Sequence, residues 1–326
     1  MTKLTKNLDI FFQSYDLTKS NYNIIIHSPN GTGKYDFVIS LIGEYYKNNK
    51  ISLSDDILSS PDILYISLPL FDKSSKRIRV LSNDERLIYE FGFEEKFENS
   101  RVGTHISVEQ IRELKDFTSL TSHYGLHKII IINNCNYLNN QSAAALLKTL
   151  EETNTKSIFL LLTSEINYVK DTIKSRCHSF PYIYETEHEK AKNFHEYYIS
   201  SIPKIKEIAL ENNYLESFDK LEDEIEQLFK NKINPLSISN QWMERGSIII
   251  DFLIQFFSIM MKGPYLNVES SQRNIYHKLY DKISISPARS IEILKLLINS
   301  KKEVRQNLNK KMFYDNLLIV LNEELY

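Results

Sequence analysis

The chain has 326 residues, more than one ordinary hydrophobic core holds, and its 42% apolar content suffices to build two or three domains. Forty Lys and Arg against 42 Asp and Glu leave a formal net charge of −2, which excludes a surface built throughout to grip nucleic acid and leaves only a local basic patch open. Two cysteines, Cys135 and Cys177, exclude a disulfide scaffold and a four-cysteine zinc site and point to a reducing cytoplasm.

The opening MTKLTKNLDIFFQSYDL is amphipathic but broken by charge, with too short an apolar run for secretion. NIIIH (23–27) reads as a buried strand that runs into SPNGTGK, and YDFVISLIGEYYK (35–47) follows with apolar residues at helical spacing. PDILYISL (61–68) is a second strand candidate. The segment 69–103, rich in charge and in Asp, Asn and Ser, reads as an excursion that leaves the sheet and returns, with no chemistry assigned to it. SVEQIRELKDFTSLTS (107–122) is an amphipathic helix begun by Ser107 with Gln110 three residues on. KIIIINN (128–134), QSAAALLKTLEE (141–152), KSIFLLLTS (156–164) and CHSFPY (177–182) then read as strand, helix, strand and a last short strand. Apolar strands alternating with helices imply an α/β unit with a parallel sheet covered on both faces. Beyond Tyr182 the pattern is of amphipathic helices with Asn, Ser and Pro breaks. IIIDFLIQFFSIMM (248–261) falls short of the ~20 residues of a spanning helix and reads as the core of that helical part, so a soluble chain is expected.

SPNGTGKY (28–35) departs from the phosphate-binding pattern G-x-x-x-x-G-K-[ST] at both ends: Ser28 stands at the first glycine and Tyr35 at the hydroxyl that would hold Mg²⁺. Gly31, Gly33 and Lys34 remain, in the strand–loop–helix setting such a loop requires. Two readings stay open at this point, a ligand-free strand-to-helix turn and residual nucleotide or anion binding through Lys34 and the helix N-terminus. His105, His123 and His127 fit no zinc signature, and Cys177 reads as a small buried hydrophobe.

Residues 128–181 resemble the AAA+ clamp-loader subunits of bacterial DNA polymerase III, and most closely their delta-prime branch. The resemblance rests on the helix AAALLKTLEE after the third strand, the strand IFLLLTS, and the tripeptide Ser175-Arg176-Cys177. HISVEQIREL (105–114) and NLNKKMFYDNLL (307–318) extend it to the approach to the Walker B strand and to a final collar helix. It implies an AAA+ P-loop module (1–182), a small helical lid (183–215) and an all-α collar for oligomerisation (216–326). It further implies that Arg176 acts as an arginine finger on the ATP of a neighbouring subunit, a role suited to a permanently charged planar donor. The acidic pair of an active Walker B strand aligns with Asn133 and Asn134. Amides hold a divalent cation weakly and cannot act as a base, and the rigid ring of Tyr35 cannot replace a short hydroxyl. Intrinsic hydrolysis is therefore expected to be lost, as in a stator, with no metal and no required cofactor. Residual ATP, ADP or anion binding at Gly31, Gly33 and Lys34 is left open. The implied partners are gamma/tau-type ATPase subunits and delta in a cytoplasmic hetero-oligomer, with the sliding clamp and primed DNA reached through the complex. Many relatives carry a four-cysteine zinc module, and no cysteine precedes Cys135 here. The alternatives are an ATP-hydrolysing subunit of the same class and an interaction protein that uses the fold in another complex.

Overall fold

The structure is a computed structural model that describes residues 3–17, 21–73, 78–91, 97, 99–152, 156–184, 191–202, 204, 206–207, 215–230, 232–246, 248–266, 271–304 and 309–324. The chain divides into two compact units, Met1–Leu87 with Phe97–Glu185, and Ile88–Lys96 with Thr186–Tyr326. The lid–collar boundary expected near residue 215 adjoins 208–214, which lie outside the described residues, as do 307 and 308 at the start of the stretch 307–318 read as the final collar helix.

The first unit begins with α1 (Lys3–Ser14), β1 (Tyr22–His27) and α2 (Lys34–Asn48). β2 (Ile63–Ile66) follows, then β3 (Pro69–Asp72), β4 (Ile78–Val80), α3 (Asn83–Glu90) and β5 (Ser100–Val102). α4 (Val108–Ser119), β6 (Lys128–Ile132), α5 (Asn140–Glu152), β7 (Ser157–Thr163), α6 (Asp171–Lys174) and β8 (His178–Pro181) complete it. Five strands form one sheet in the order β2-β6-β7-β1-β8, and every pairing in it is parallel.

The side chains explain why. A strand turns successive residues to opposite faces, so a strand apolar at every position has two faces to bury. Ile129, Ile131, Ile158, Leu160 and Leu162 pack with Phe37, Leu41 and Tyr45 of α2 and Phe11 of α1. Ile130, Ile132, Phe159 and Leu161 pack on the other side with Ile111 and Leu114 of α4 and Leu146 of α5. Register keeps the layers level, with Ile24 opposite Leu160 and Ile130 opposite Phe159. Ser107 and Gln110 form the reciprocal cap expected at the start of α4, the Gln110 backbone N–H donating to Ser107 Oγ at 3.3 Å and the Ser107 N–H to Gln110 Oε1 at 2.9 Å.

The outermost strand β8 is finished by a side chain. Asn7 of α1, 1% exposed, donates from Nδ2 to the Ile183 carbonyl at 2.7 Å and accepts the Ile183 N–H on Oδ1 at 3.1 Å, as a strand residue would. The excursion 69–103 does leave this sheet: its strands form a separate antiparallel sheet in the order β4-β3-β5.

The second unit is helical in its described residues: α7 (Phe194–Ser201), α8 (Leu215–Phe229), α9 (Pro235–Arg245), α10 (Ile248–Lys262), α11 (Ser271–Ile283), α12 (Pro287–Val304) and α13 (Lys310–Glu324). α10 is its spine. Ile248–Tyr265, with mean hydropathy 1.3, is long and apolar enough to pass for a membrane span, but 56% of it is buried within the unit, which makes it a core helix. Phe252 and Phe256 meet Phe194 edge-on at 4.8 and 5.1 Å, fixing α7 to α10. The chain's one tryptophan, Trp242 on α9, is fully buried and donates from its indole N–H to Glu224 at 2.9 Å.

α7 is also tied to α8 by charge. One Glu222 oxygen accepts from the His195 backbone N–H at 3.0 Å and lies 2.7 Å from His195 Nδ1. The hydrogen bond to Glu222 raises the imidazole pKa above its ordinary value against the opposing effect of burial. Burial would raise the Glu222 carboxyl, but the bonds to His195 outweigh it and leave the carboxyl lowered. The His195 contribution is therefore complete below the ordinary imidazole pKa of 6.5 and is lost as pH rises through the raised value. The Glu222 contribution is present above its ordinary 4.5 and lost as pH falls through the lowered value. The urea midpoint followed by Trp242 fluorescence is expected to fall in the native chain as pH rises above 6.5 through the raised imidazole value, and to fall less in His195→Gln.

Candidate functional site at the carboxyl edge of the sheet

Because the strands run parallel, the turns after β1, β2, β6 and β7 all emerge at one edge, where open α/β sheets place their ligand sites. After β1 the chain passes through Ser28–Gly33 into α2. Gly31 and Gly33 adopt left-handed φ values of 71° and 94°, and Gly33 caps α2 without any side-chain bond. The glycines thus keep a phosphate-loop path. The polar groups, however, serve the loop itself. Lys34 is 4% exposed, and its Nζ donates to the Ser28 and Pro29 carbonyls, both at 3.1 Å. Thr32 Oγ1 donates to the Pro29 carbonyl at 2.9 Å and lies 2.6 Å from Ser28 Oγ, so the Ser28 hydroxyl is the donor of that pair.

Tyr35, the residue after Lys34, packs its ring edgewise on Tyr65 at 6.0 Å. Burial, reinforced by Tyr65 and by the carboxylates of Asp36, Asp84 and Asp56, pushes its phenol pKa far up, so the hydroxyl stays protonated and neutral. Asn133 and Asn134 follow β6 and are 1% and 2% exposed. Asn133 extends the pairing to β2 through its backbone N–H, which donates to the Ile66 carbonyl at 2.8 Å. Its side-chain amide donates to the Tyr65 hydroxyl at 2.9 Å and to Asn83 Oδ1 at 3.3 Å. Asn83 Oδ1 also accepts from Arg86 Nη2 at 3.3 Å, and Arg86 is 2% exposed. Asn134 has φ 68°, a left-handed conformation that Asn adopts more readily than most residues, and it turns the chain out of β6.

α3 of the excursion therefore contributes Asn83 and Arg86 to this edge. The sequence reading assigned that segment no chemistry, and its local pattern, Asn-Asp-Glu-Arg at a helix start, carries no signal of the contact. After β6 the edge thus holds two amides, that of Asn133 directed at the Tyr65 hydroxyl. No group of three or more His, Cys, Asp or Glu side chains that could hold a metal occurs among the described residues.

Arg176 lies at the opposite edge. It precedes β8, so it stands at the amino end of the sheet while the loop after β1 stands at the carboxyl end. Arg176 and Glu151, at the end of α5, form an ion pair through Nε, with side chains 41% and 49% exposed. Arg176 Nη1 donates to the Thr172 carbonyl at 3.2 Å and to Ser175 Oγ at 3.3 Å. The helix before it, α6, is short, Asp171–Lys174, and Ser175 is its C-cap. Cys177 is partly buried, which pushes its thiol up to about 12 and leaves no thiolate near neutrality. The histidines are dispersed: the His127 ring bonds the Tyr45 hydroxyl at 2.9 Å, and the His123 backbone N–H donates to Asp62 at 2.7 Å.

The strand order and the loop between β1 and α2 make the first unit an AAA+ P-loop module, with a helical unit following. The chain belongs to the family described as DNA polymerase III, delta subunit, whose profile matches residues 6–182, more than half of its length. It is 36% identical over 72 residues to the DNA polymerase III subunit delta′ of Pseudomonas aeruginosa, a match covering 22% of each chain. It is 24% identical over 246 residues to the subunit delta′ of Bacillus subtilis, covering 68% of this chain and 74% of that one. It is also 38% identical over 73 residues to the subunit gamma of Buchnera aphidicola, covering 22% of this chain and 20% of that one.

Since Lys34 satisfies two loop carbonyls, Lys34→Met is expected to destabilise the first unit by about 1–3 kcal/mol, the cost of leaving buried acceptors unpaired. Chemical denaturation followed by circular dichroism measures it; a lysine held for a ligand alone would give no loss.

Proposed function

We propose that this chain is the non-hydrolysing delta-prime (stator) subunit of a bacterial DNA polymerase III clamp loader. In this reading it helps load the sliding clamp onto primed DNA during replication, in the cytoplasm, and assembles with gamma/tau-type ATPase subunits and delta. The observation that carries it is Asn133: the position where a carboxylate would order Mg²⁺ holds a buried amide that donates to Tyr65 and Asn83. A neutral amide there holds a divalent cation far less strongly than a carboxylate and cannot act as a base toward water near pH 7. Family membership and the delta′ relatives support the same reading. The preserved path at Gly31 and Gly33 supports a lesser role for the loop, retention of ATP, ADP or an anion without turnover. Residues 183–215 serve as the lid and 216–326 as the oligomerising collar.

Arg176 is the group this subunit supplies to a neighbour. Its guanidinium is half exposed, and it stands at the sheet edge remote from the chain's own loop. Such a finger stabilises charge that develops on transferred phosphate, an effect worth about 10³–10⁵ in rate in related systems.

Two outcomes test this. The purified chain with Mg²⁺ and ATP is expected to show no turnover above background; multiple turnover abolished by Lys34→Ala would refute the stator reading. In the reconstituted loader, Arg176→Ala is expected to leave assembly intact and to lower DNA- and clamp-stimulated hydrolysis. Arg176→Lys is expected to recover little, because a point charge cannot reproduce the planar fork. Unchanged stimulated hydrolysis and clamp loading in an assembled Arg176→Ala complex would remove the finger.

A further inference from the structure

Glu151 occupies a place that helix energetics disfavours. It stands in the last turn of α5, where unpaired carbonyls carry partial negative charge and no basic residue stands in that turn to offset it. Its compensating partner lies 25 positions on, at Arg176. The two are held together by a third residue. Asn23 on β1 donates from Nδ2 to the Leu150 carbonyl at 3.5 Å and to the Arg176 carbonyl at 3.2 Å, so one side chain pins the backbone on both sides of the ion pair. The guanidinium is thereby divided. Nε is taken by Glu151 and Nη1 by Thr172 and Ser175, while Nη2 donates to nothing among the described residues.

We infer that Glu151 is a positioning residue for Arg176, fixing one edge of the guanidinium so that the free Nη2 edge is presented outward to the neighbouring subunit's phosphates. This inference rests on the finger reading of Arg176 above. An unanchored arginine carries large rotamer entropy that must be lost on engaging phosphate, whereas a guanidinium already held at Nε and Nη1 has lost most of it beforehand. Glu151 touches no substrate in this arrangement; it acts through Arg176.

The test is steady-state ATP hydrolysis by the reconstituted loader with DNA and clamp, using Glu151→Ala, Glu151→Gln, Arg176→Ala and the double variant Glu151→Ala/Arg176→Ala, each checked for assembly. Glu151→Ala is expected to lower kcat by roughly three- to tenfold with KM for ATP unchanged, as loss of orientation does. Glu151→Gln is expected to recover most of that rate, since its amide oxygen still accepts from Nε. In the Arg176→Ala background, Glu151→Ala is expected to change nothing further, because the group it orients is gone. If Arg176→Ala slows the loader while Glu151→Ala leaves kcat unchanged or raises it, the positioning role falls and the finger stands. An equal loss from Glu151→Ala with and without Arg176, or no recovery in Glu151→Gln, also overturns it. If Arg176→Ala itself has no effect, the finger reading fails and takes this inference with it.

Discussion

The rest of the first unit depends on one constraint: β6 and β7 are buried along their whole length on both faces. Strands of that kind exclude a half-solvated antiparallel sheet and require helices on each side, hence crossovers that return every strand in the same direction. Parallel direction then sorts the turns by edge. Everything that follows a strand gathers at the carboxyl edge, which brings Gly31, Gly33 and Lys34 together with Asn133 and Asn134. Everything that precedes a strand gathers at the other, which sets Arg176 apart from them. The separation of a self-occupied loop from an outward arginine thus follows from sheet direction and needs no further device.

At the carboxyl edge the residues that follow β6, Asn133 and Asn134, are neutral amides. Two buried carboxylates facing each other without a cation would repel and carry a large desolvation cost. Asn133 is neutral, and its amide protons meet the oxygens of Tyr65 and Asn83. Lys34 Nζ holds the carbonyls of Ser28 and Pro29. The Asn133 and Lys34 donors at this edge are thus met by groups of the chain itself, while Asn133 Oδ1 is buried without a partner among the described residues. Arg86 and Asn83 join the edge from the segment between β2 and α4, Asn83 Oδ1 accepting from both Arg86 and Asn133.

Much of this was legible in the residues. Continuous apolar runs gave the strands, the Ser107 and Gln110 pair marked the start of α4, and the altered ends of SPNGTGKY marked a changed loop. What escaped was every contact between distant segments. Nothing local in the excursion signals that Asn83 meets Asn133 fifty positions away, because a hydrogen-bonding residue at a helix start ordinarily faces water. Glu151 left a fainter trace, an acidic residue where a helix end favours a basic one, whose meaning required the partner at Arg176. The reading of 248–261 as core holds, and it is burial of Ile248–Tyr265, 56% of it inside, that decides its nature, which no count of apolar residues supplies.

The amide of Asn7 has a consequence for how the molecule behaves in company. An outermost strand normally offers a row of free backbone groups on which another chain can align, the first step of edge-to-edge association. By engaging both the N–H and the carbonyl of Ile183, Asn7 ends the row just beyond β8 with a side chain that cannot propagate it. An extended peptide seeking to add a sixth strand there would find the pairing register already closed by the protein's own first helix.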